Sequence, residues 1–426
     1  MAETRRTSAA LAVKDVWRLV VAGTWVAGET IVLTVGTRDI TVTVGATVTT
    51  AAIAQAVVEA WNGDEITGDA TRSDTGNNIP EYAGATAAIG STTSTVDITM
   101  NTAGVPLGFS AVDTSAAGSV TVSHPVVATG PEYWTNSDNW SNGVPADGDT
   151  FYIDNLDTSI RYDLDQSAIE PAAGYIDQSF TGDIGLPAVN DNGYPEYRDQ
   201  YLKIGPAVLQ IGRGAGNGSG RLKIDTTTDQ TALTVFNTGS SVDELPALLW
   251  KGTHASNSLV MVNGSVGVAV FGAETATLAT ITKSGGELTL GPGVTLSGAL
   301  TQSGGTIEIN SLVDGSFTQT GGESVINGTG NVDQLTVRGG TCVLNTTGTL
   351  GGATVVSGDG VLDLSQNPVA LAGVSAAIDL YGPNAQILDP FKRLGAVAVD
   401  FNDSATAAQV NFGANTSYRL TRGNVA

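Results

Sequence analysis

Between residues 281 and 361 one short pattern returns five times: ITKSGGEL from Ile281, LTQSGGTI from Leu300, FTQTGGES from Phe317, LTVRGGTC from Leu335 and ATVVSGDGVL from Ala353. Successive starts lie 19, 17, 18 and 18 residues apart, a period of about 18. Each copy runs apolar, Thr, two residues and a glycine corner, then a second short alternating strand. Such a repeat is too short for a β-strand plus a crossover helix and too regular for unrelated hairpins. It fits one coil of a β-solenoid, with glycine permitting sharp corners and coils stacking at about 4.8 Å. An intertwined trimeric β-structure would also space short strands regularly; a coil closed within one chain is preferred here. The fragments from Val262 and Leu362 extend the stack in both directions, giving a regular solenoid over 261–375.

Composition agrees with that reading. The chain has 54 glycines in 426 residues, set between short Val, Thr, Leu and Ile runs, and only 14% charged residues. Its formal charge is -23, from 42 acidic and 19 basic residues, which opposes binding to nucleic acid or to an anionic membrane. No stretch reaches the 18 apolar residues of a membrane helix, and MAETRRTSAALAV lacks the apolar core of a signal peptide. The single cysteine, Cys342, excludes an internal disulfide and reads as a small buried hydrophobe.

Upstream the period changes. Residues 1–12 read as a loose arm. GETIVLTVG and RDITVTVG alternate and form a hairpin turning at Gly36. In TAAIAQAVVEAW (50–61), Ile53, Val57 and Trp61 fall four apart on one helical face, with Thr49 or Thr50 as cap and Asn62-Gly63 as stop. Residues 13–128 are therefore expected to be a small α+β docking domain. Residues 129–260 are expected to hold an aromatic lid, with Trp134, Trp140 and Tyr152 covering the solenoid's open end, and then irregular early coils. Residues 376–426 lose the period and read as a C-terminal cap or attachment segment. The fold class is all-β dominated: a β-solenoid preceded by a small α+β domain.

Chemistry-bearing residues are sparse. His124 and His254 stand far apart without neighbouring ligands, poor material for a zinc site or a nucleophile–histidine pair. Asp147, Asp149, Asp154, Asp163 and Asp165 cluster after the aromatic segment, and paired carboxylates on a solenoid face could act as acid and base or bind calcium. The preferred reading is that they initiate turns. GRGAGNGSG (212–220) lacks the G-K-[ST] ending and the following helix of a phosphate loop, so it reads as a turn. No catalytic residue, metal or cofactor is assigned.

Two resemblances follow from these motifs. The segment W-x4-NW-x2-GVP (134–145) resembles the opening of bacterial β-solenoid surface proteins, including autotransporter-type passengers, where it is an aromatic plug. The whole layout resembles tailed-phage structural proteins: GETIVLTVGTRDITVTVG followed by TTAAIAQAVVEAWNG, and AGVPLGFSA (103–111), are similar to an accessory domain of such proteins. That resemblance implies a non-enzymatic virion protein, of the capsid-decoration or head-fibre kind, assembled in the host cytoplasm. It would partner other virion proteins and form a homo-oligomer, with a trimer as the expected state. The rivals are a tail fibre or tailspike acting on polysaccharide, and a cell-surface adhesin.

Overall fold

The computed structural model describes residues 2–329, 331–395 and 397–413. It is all-β dominated, with 41% strand and 5% helix. Two long parallel sheets wind through it. The coil that starts at Thr280–Lys283 shows the unit. That strand lies on a first face, Ser284 to Gly286 turn a corner, and Glu287–Leu290 lies on a second face. Residues 291–293 turn again, Val294–Leu296 lies on a third face, and the chain returns to the first at Leu300–Gln302. Each strand pairs in parallel with its counterpart one coil on. The third-face strands appear only in the later coils, where the eight-residue strand Leu312–Gln319 spans two faces and joins them into one seventeen-stranded sheet.

Alternation decides what is inside. In Glu287–Leu290, Leu288 and Leu290 are buried and Glu287 is exposed, and the same pattern recurs at Ile307 and Ile309. Stacked inward columns of Leu, Ile and Val form one continuous core from Tyr133 to Val410. Each buried aliphatic side chain contributes roughly 1.5–3 kcal/mol. Cys342 is fully buried in this core, and burial pushes its thiol pKa up to about 12.

The stack is longer and less uniform than the repeat implied: about 12 turns, with coils about 22 residues apart on average. The 18-residue spacing belongs to the coils between Ile281 and Thr354, where corners are shortest. The fifth fragment enters one residue out of the register inferred from the sequence. Leu335 pairs with Thr354, not Ala353, so Thr354 fills the inward slot. The expected C-terminal cap over 376–426 is also revised. Ile378–Tyr381, Gln386–Leu388, Val399–Asn402 and Val410–Asn411 continue the ladders, and longer corners simply hide the period. Residues 414–426 lie outside the described residues.

The expected loose arm is the first rung. Glu3–Arg5 pairs in parallel with Thr150–Tyr152, Thr4 is buried, and Arg5 pairs with Asp154. Its outer edge is covered by residues 139–143: Arg5 exchanges hydrogen bonds with Ser141 (2.9 and 3.0 Å), and the Asn142 amide donates to the Glu3 carbonyl (2.6 Å). The aromatic lid is present, with one substitution in its cast. Trp134 and Trp140 are buried and meet edge to face at 4.9 Å, and the third partner is Phe151, not Tyr152. Strand alternation turns Tyr152 outward, where it stacks on Tyr175 at 5.0 Å.

Residues between this first rung and the lid form the α+β domain, so it is an insertion in the first coil. Its chain enters and leaves side by side, with the Val13 N–H donating to the Thr129 carbonyl at 2.8 Å. Two four-stranded antiparallel sheets carry it, and the hairpin Thr30–Val35/Arg38–Thr43 turns at Gly36. The helix Thr50–Asn62 is capped by the Thr49 hydroxyl and stopped at Gly63. It packs Ile53, Val57 and Trp61 into a second, separate core.

Candidate functional site

The second face of the early coils is where charge and open space coincide. Its strands Leu202–Lys203, Leu222–Asp225 and Leu248–Lys251 stack in register, placing Lys203 against Asp225 and Asp225 against Lys251. Asp165 joins Lys203 by a parallel bridge one coil earlier. The outer surface therefore carries a column of alternating sign over four successive coils: Asp165, Lys203, Asp225, Lys251. Lys203 Nζ lies 3.7 Å from Asp165 and also pairs with Asp199; Lys251 Nζ lies 3.8 Å from Asp225 and 3.5 Å from Glu274.

Two loops wall this column. The turn from Phe271 to Glu274 is closed by the Glu274 N–H donating to the Phe271 carbonyl at 2.9 Å and by the Phe271 N–H donating to the Glu274 carboxylate at 3.3 Å. It leaves the Phe271 ring exposed. On the other side Tyr201 is buried with the Lys251 ammonium 3.9 Å from its ring centre. Its hydroxyl makes no hydrogen bond of good geometry, and burial beside the Glu274 carboxylate raises its pKa. Along the column, reaching Ala273 to Thr275 of this turn, lies a groove of about 650 Å³ edged by the hydroxyl residues Ser167, Thr227, Thr253 and Thr275. A smaller hollow of about 390 Å³ adjoins it at Glu274, lined by Tyr201 and Phe271. Burial raises the Asp225 pKa, hydrogen bonds from Ser167 lower that of Asp165, and the Asp199 partner raises that of Lys203.

Tyr201 ends a strap formed by the long corner before it. Within the strap the buried Glu196 carboxylate pairs with the partly buried Arg198 at 2.7 Å, and Arg198 donates to the Pro106 carbonyl of the inserted domain at 3.2 Å. Tyr197 lies on Gly36 and Gly108: a side chain at Gly36 would come within 2.6 Å of its ring, and its hydroxyl accepts from the Gly108 N–H at 3.3 Å. The strap thus holds the domain at one end and the groove at the other. At the neck, Asp15 ties both crossing segments together. Its buried carboxylate accepts from the Leu107 N–H (2.9 Å) and the Ala128 N–H (2.7 Å) and bonds His124 at 2.6 Å, with His124 stacked on Trp17.

The five aspartates singled out in the sequence share no common partner. Asp147 accepts from the Glu170 N–H, Asp149 from the Ala2 and Ala146 N–H groups, Asp154 pairs with Arg5, and Asp163 with the Thr135 hydroxyl. Only Asp165 reaches the groove. His254 accepts from the Ser256 N–H in a turn at 3.1 Å. Among the described residues no group of three or more His, Cys, Asp and Glu side chains could hold a metal ion. No described helix is long and apolar enough to cross a membrane. The glycine-rich run at 212–220 is a corner followed by the strand Leu222–Asp225. The groove, the strap and Asp15–His124 were not read from the sequence, because each joins residues from separate coils or from opposite ends of the inserted domain.

No family model, curated protein or solved structure matches this chain. The β-solenoid itself is compatible with a fibre-like or adhesin-like structural role.

Proposed function

We propose that this protein is a non-enzymatic structural component of a phage particle, of the capsid-decoration or head-fibre kind, which docks through its α+β domain and projects the solenoid. The observation that carries this reading is the placement of the domain. It is inserted in the first coil, tied at its neck by Asp15 and clasped by Tyr197, at the end of the rod whose first strand edge is covered. A head fixed to one end of a ladder of about 12 turns, on the order of 60 Å long, suits attachment at that end and display along the rest. The resemblance of the inserted domain and of the aromatic lid to phage and surface solenoid proteins supplies the setting. The same resemblance favours a homo-oligomer, and native mass spectrometry of the purified chain checks it.

The test is quantitative mass spectrometry of purified particles from the source culture, referenced to the major capsid protein. Hundreds of copies per particle fit decoration, and a few to tens fit a tail appendage. Absence from particles that hold abundant capsid protein removes the virion reading and leaves the adhesin or polysaccharide-acting alternative.

A further inference from the structure

The groove on the second face has features that rod-building alone does not require. Its lysines are each held between two carboxylates, Lys203 by Asp165 and Asp199, Lys251 by Asp225 and Glu274. An incoming ligand therefore meets donors and acceptors fixed in position, with little rotamer freedom left to lose on binding. Along the groove these groups recur once per coil, over about 14 Å for the three steps from Asp165 to Lys251. At its end Phe271, 39% exposed, stands across the smaller hollow from Tyr201, which is 6% exposed. An exposed aromatic ring beside a polar trough is an arrangement that offers one apolar face and many hydrogen bonds.

We propose that this groove binds a neutral oligosaccharide lying along the solenoid axis, with a sugar ring packed on Phe271 and its hydroxyls bridging the carboxylates and ammoniums of the column. Charge selects this class. Three carboxylates, Asp165, Asp225 and Glu274, against the two ammoniums of Lys203 and Lys251 leave the groove net negative, which disfavours uronate-rich glycans and nucleic acid. The carboxylates are already engaged by lysines, so a basic peptide would have to displace existing ion pairs. A neutral polyol displaces none of them, and it satisfies donors and acceptors alike. The inference is independent of whether the protein is a virion component.

The full-length chain is to be screened against an array of neutral, amino-substituted and uronate-containing tetrasaccharides, with trilysine as the peptide probe. Isothermal titration then follows for the wild type, Phe271→Ala and Lys251→Met. Binding of a neutral tetrasaccharide is expected, weakened at least about tenfold by Phe271→Ala, whose exposed ring leaves thermal stability unchanged. Lys251→Met is expected to weaken it as well. Binding confined to uronates or to trilysine overturns the proposal. So does neutral binding that both variants leave intact, or no neutral binding at millimolar concentration.

Discussion

The coils from Ile281 to Thr354 and the coils before them share one ladder but spend their corners differently. In the later set the corner between the first and second faces is a short glycine turn, and in three successive coils an inward polar side chain closes it. Lys283, Gln302 and Gln319 occupy one column at the third position of the repeat. The Lys283 ammonium donates to the Gly304 carbonyl at 2.8 Å. The Gln302 amide donates to Gly305 and Glu323, both at 3.0 Å, and the Gln319 amide to Gly322 (2.9 Å) and Thr341 (3.1 Å). The next two rungs place Val337 and Val356 there instead. In the earlier set the corners lengthen into the strap and the groove walls. Short corners build a rod; long corners give it a surface with contents. A solenoid can keep its register while corner length varies, because the ladders, not the corners, carry the pairing.

Substitution at the short corners should break the comparison hardest. Gly340 has φ +73°, and a Cβ there would lie 2.0 Å from the Gly322 carbonyl of the preceding coil. Gly340→Ala is expected to cost about 3–4 kcal/mol in urea unfolding. Tyr197→Ala comes next, at about 2 kcal/mol, because it empties the seat over Gly36 and Gly108. Its distinguishing signature is faster proteolysis at the neck near Val13 and Thr129, with the solenoid left resistant. Gln319→Leu should cost about 1–2 kcal/mol, since it strips partners from the carbonyls of Gly322 and Thr341 and from the Ser324 hydroxyl. A loss for Gln319→Leu no greater than that of an exposed substitution would mean the polar column is incidental.

A pH dependence sharpens the comparison from another side. Burial lowers the pKa of Lys283 to about 8, from 10.5 for a free lysine, and does the same at Lys223 beneath the strap. Between those values the unfolded chain holds protons that the folded chain has shed, so stability rises with pH through this window. Below pH 8 the folded chain carries the full cost of the buried charge. Lys283→Met is therefore expected to be more stable than wild type at pH 7 and to climb less steeply between pH 8 and 10.5. Equal slopes in urea titrations across that range would remove the assignment.

What could be read in the sequence follows the same division. The fragments from Ile281 to Leu335 were legible because corners of nearly equal length preserve a period, whereas the Lys, Gln, Gln at position three were not read as an inward polar slot, because polar residues in a strand read as outward-facing. The helix was legible because Ile53, Val57 and Trp61 keep their spacing within one element. Glu3–Arg5 was not, since a three-residue strand has no pattern of its own and its partner lies beyond the whole inserted domain. Residues 378–411 were missed as coils because corner lengths vary around strands of two to four residues. The groove was legible only in part: Asp165 was noticed, whereas Lys203, Asp225 and Lys251 become neighbours only after stacking.

The most direct test of docking by the inserted domain is incorporation into particles. Val13 and Thr129 are hydrogen-bonded neighbours, so residues 14–128 can be replaced by a short glycine linker. As a control, a second chain drops one full coil, Leu300 to Ser316, whose flanking strands Ile281 and Phe317 can pair directly. Both chains are to be checked for β-structure by circular dichroism and then counted in purified particles by mass spectrometry. The coil-deleted chain is expected in particles at wild-type copy number and the domain-deleted chain to be absent. A folded domain-deleted chain that incorporates at wild-type level would contradict docking through this domain.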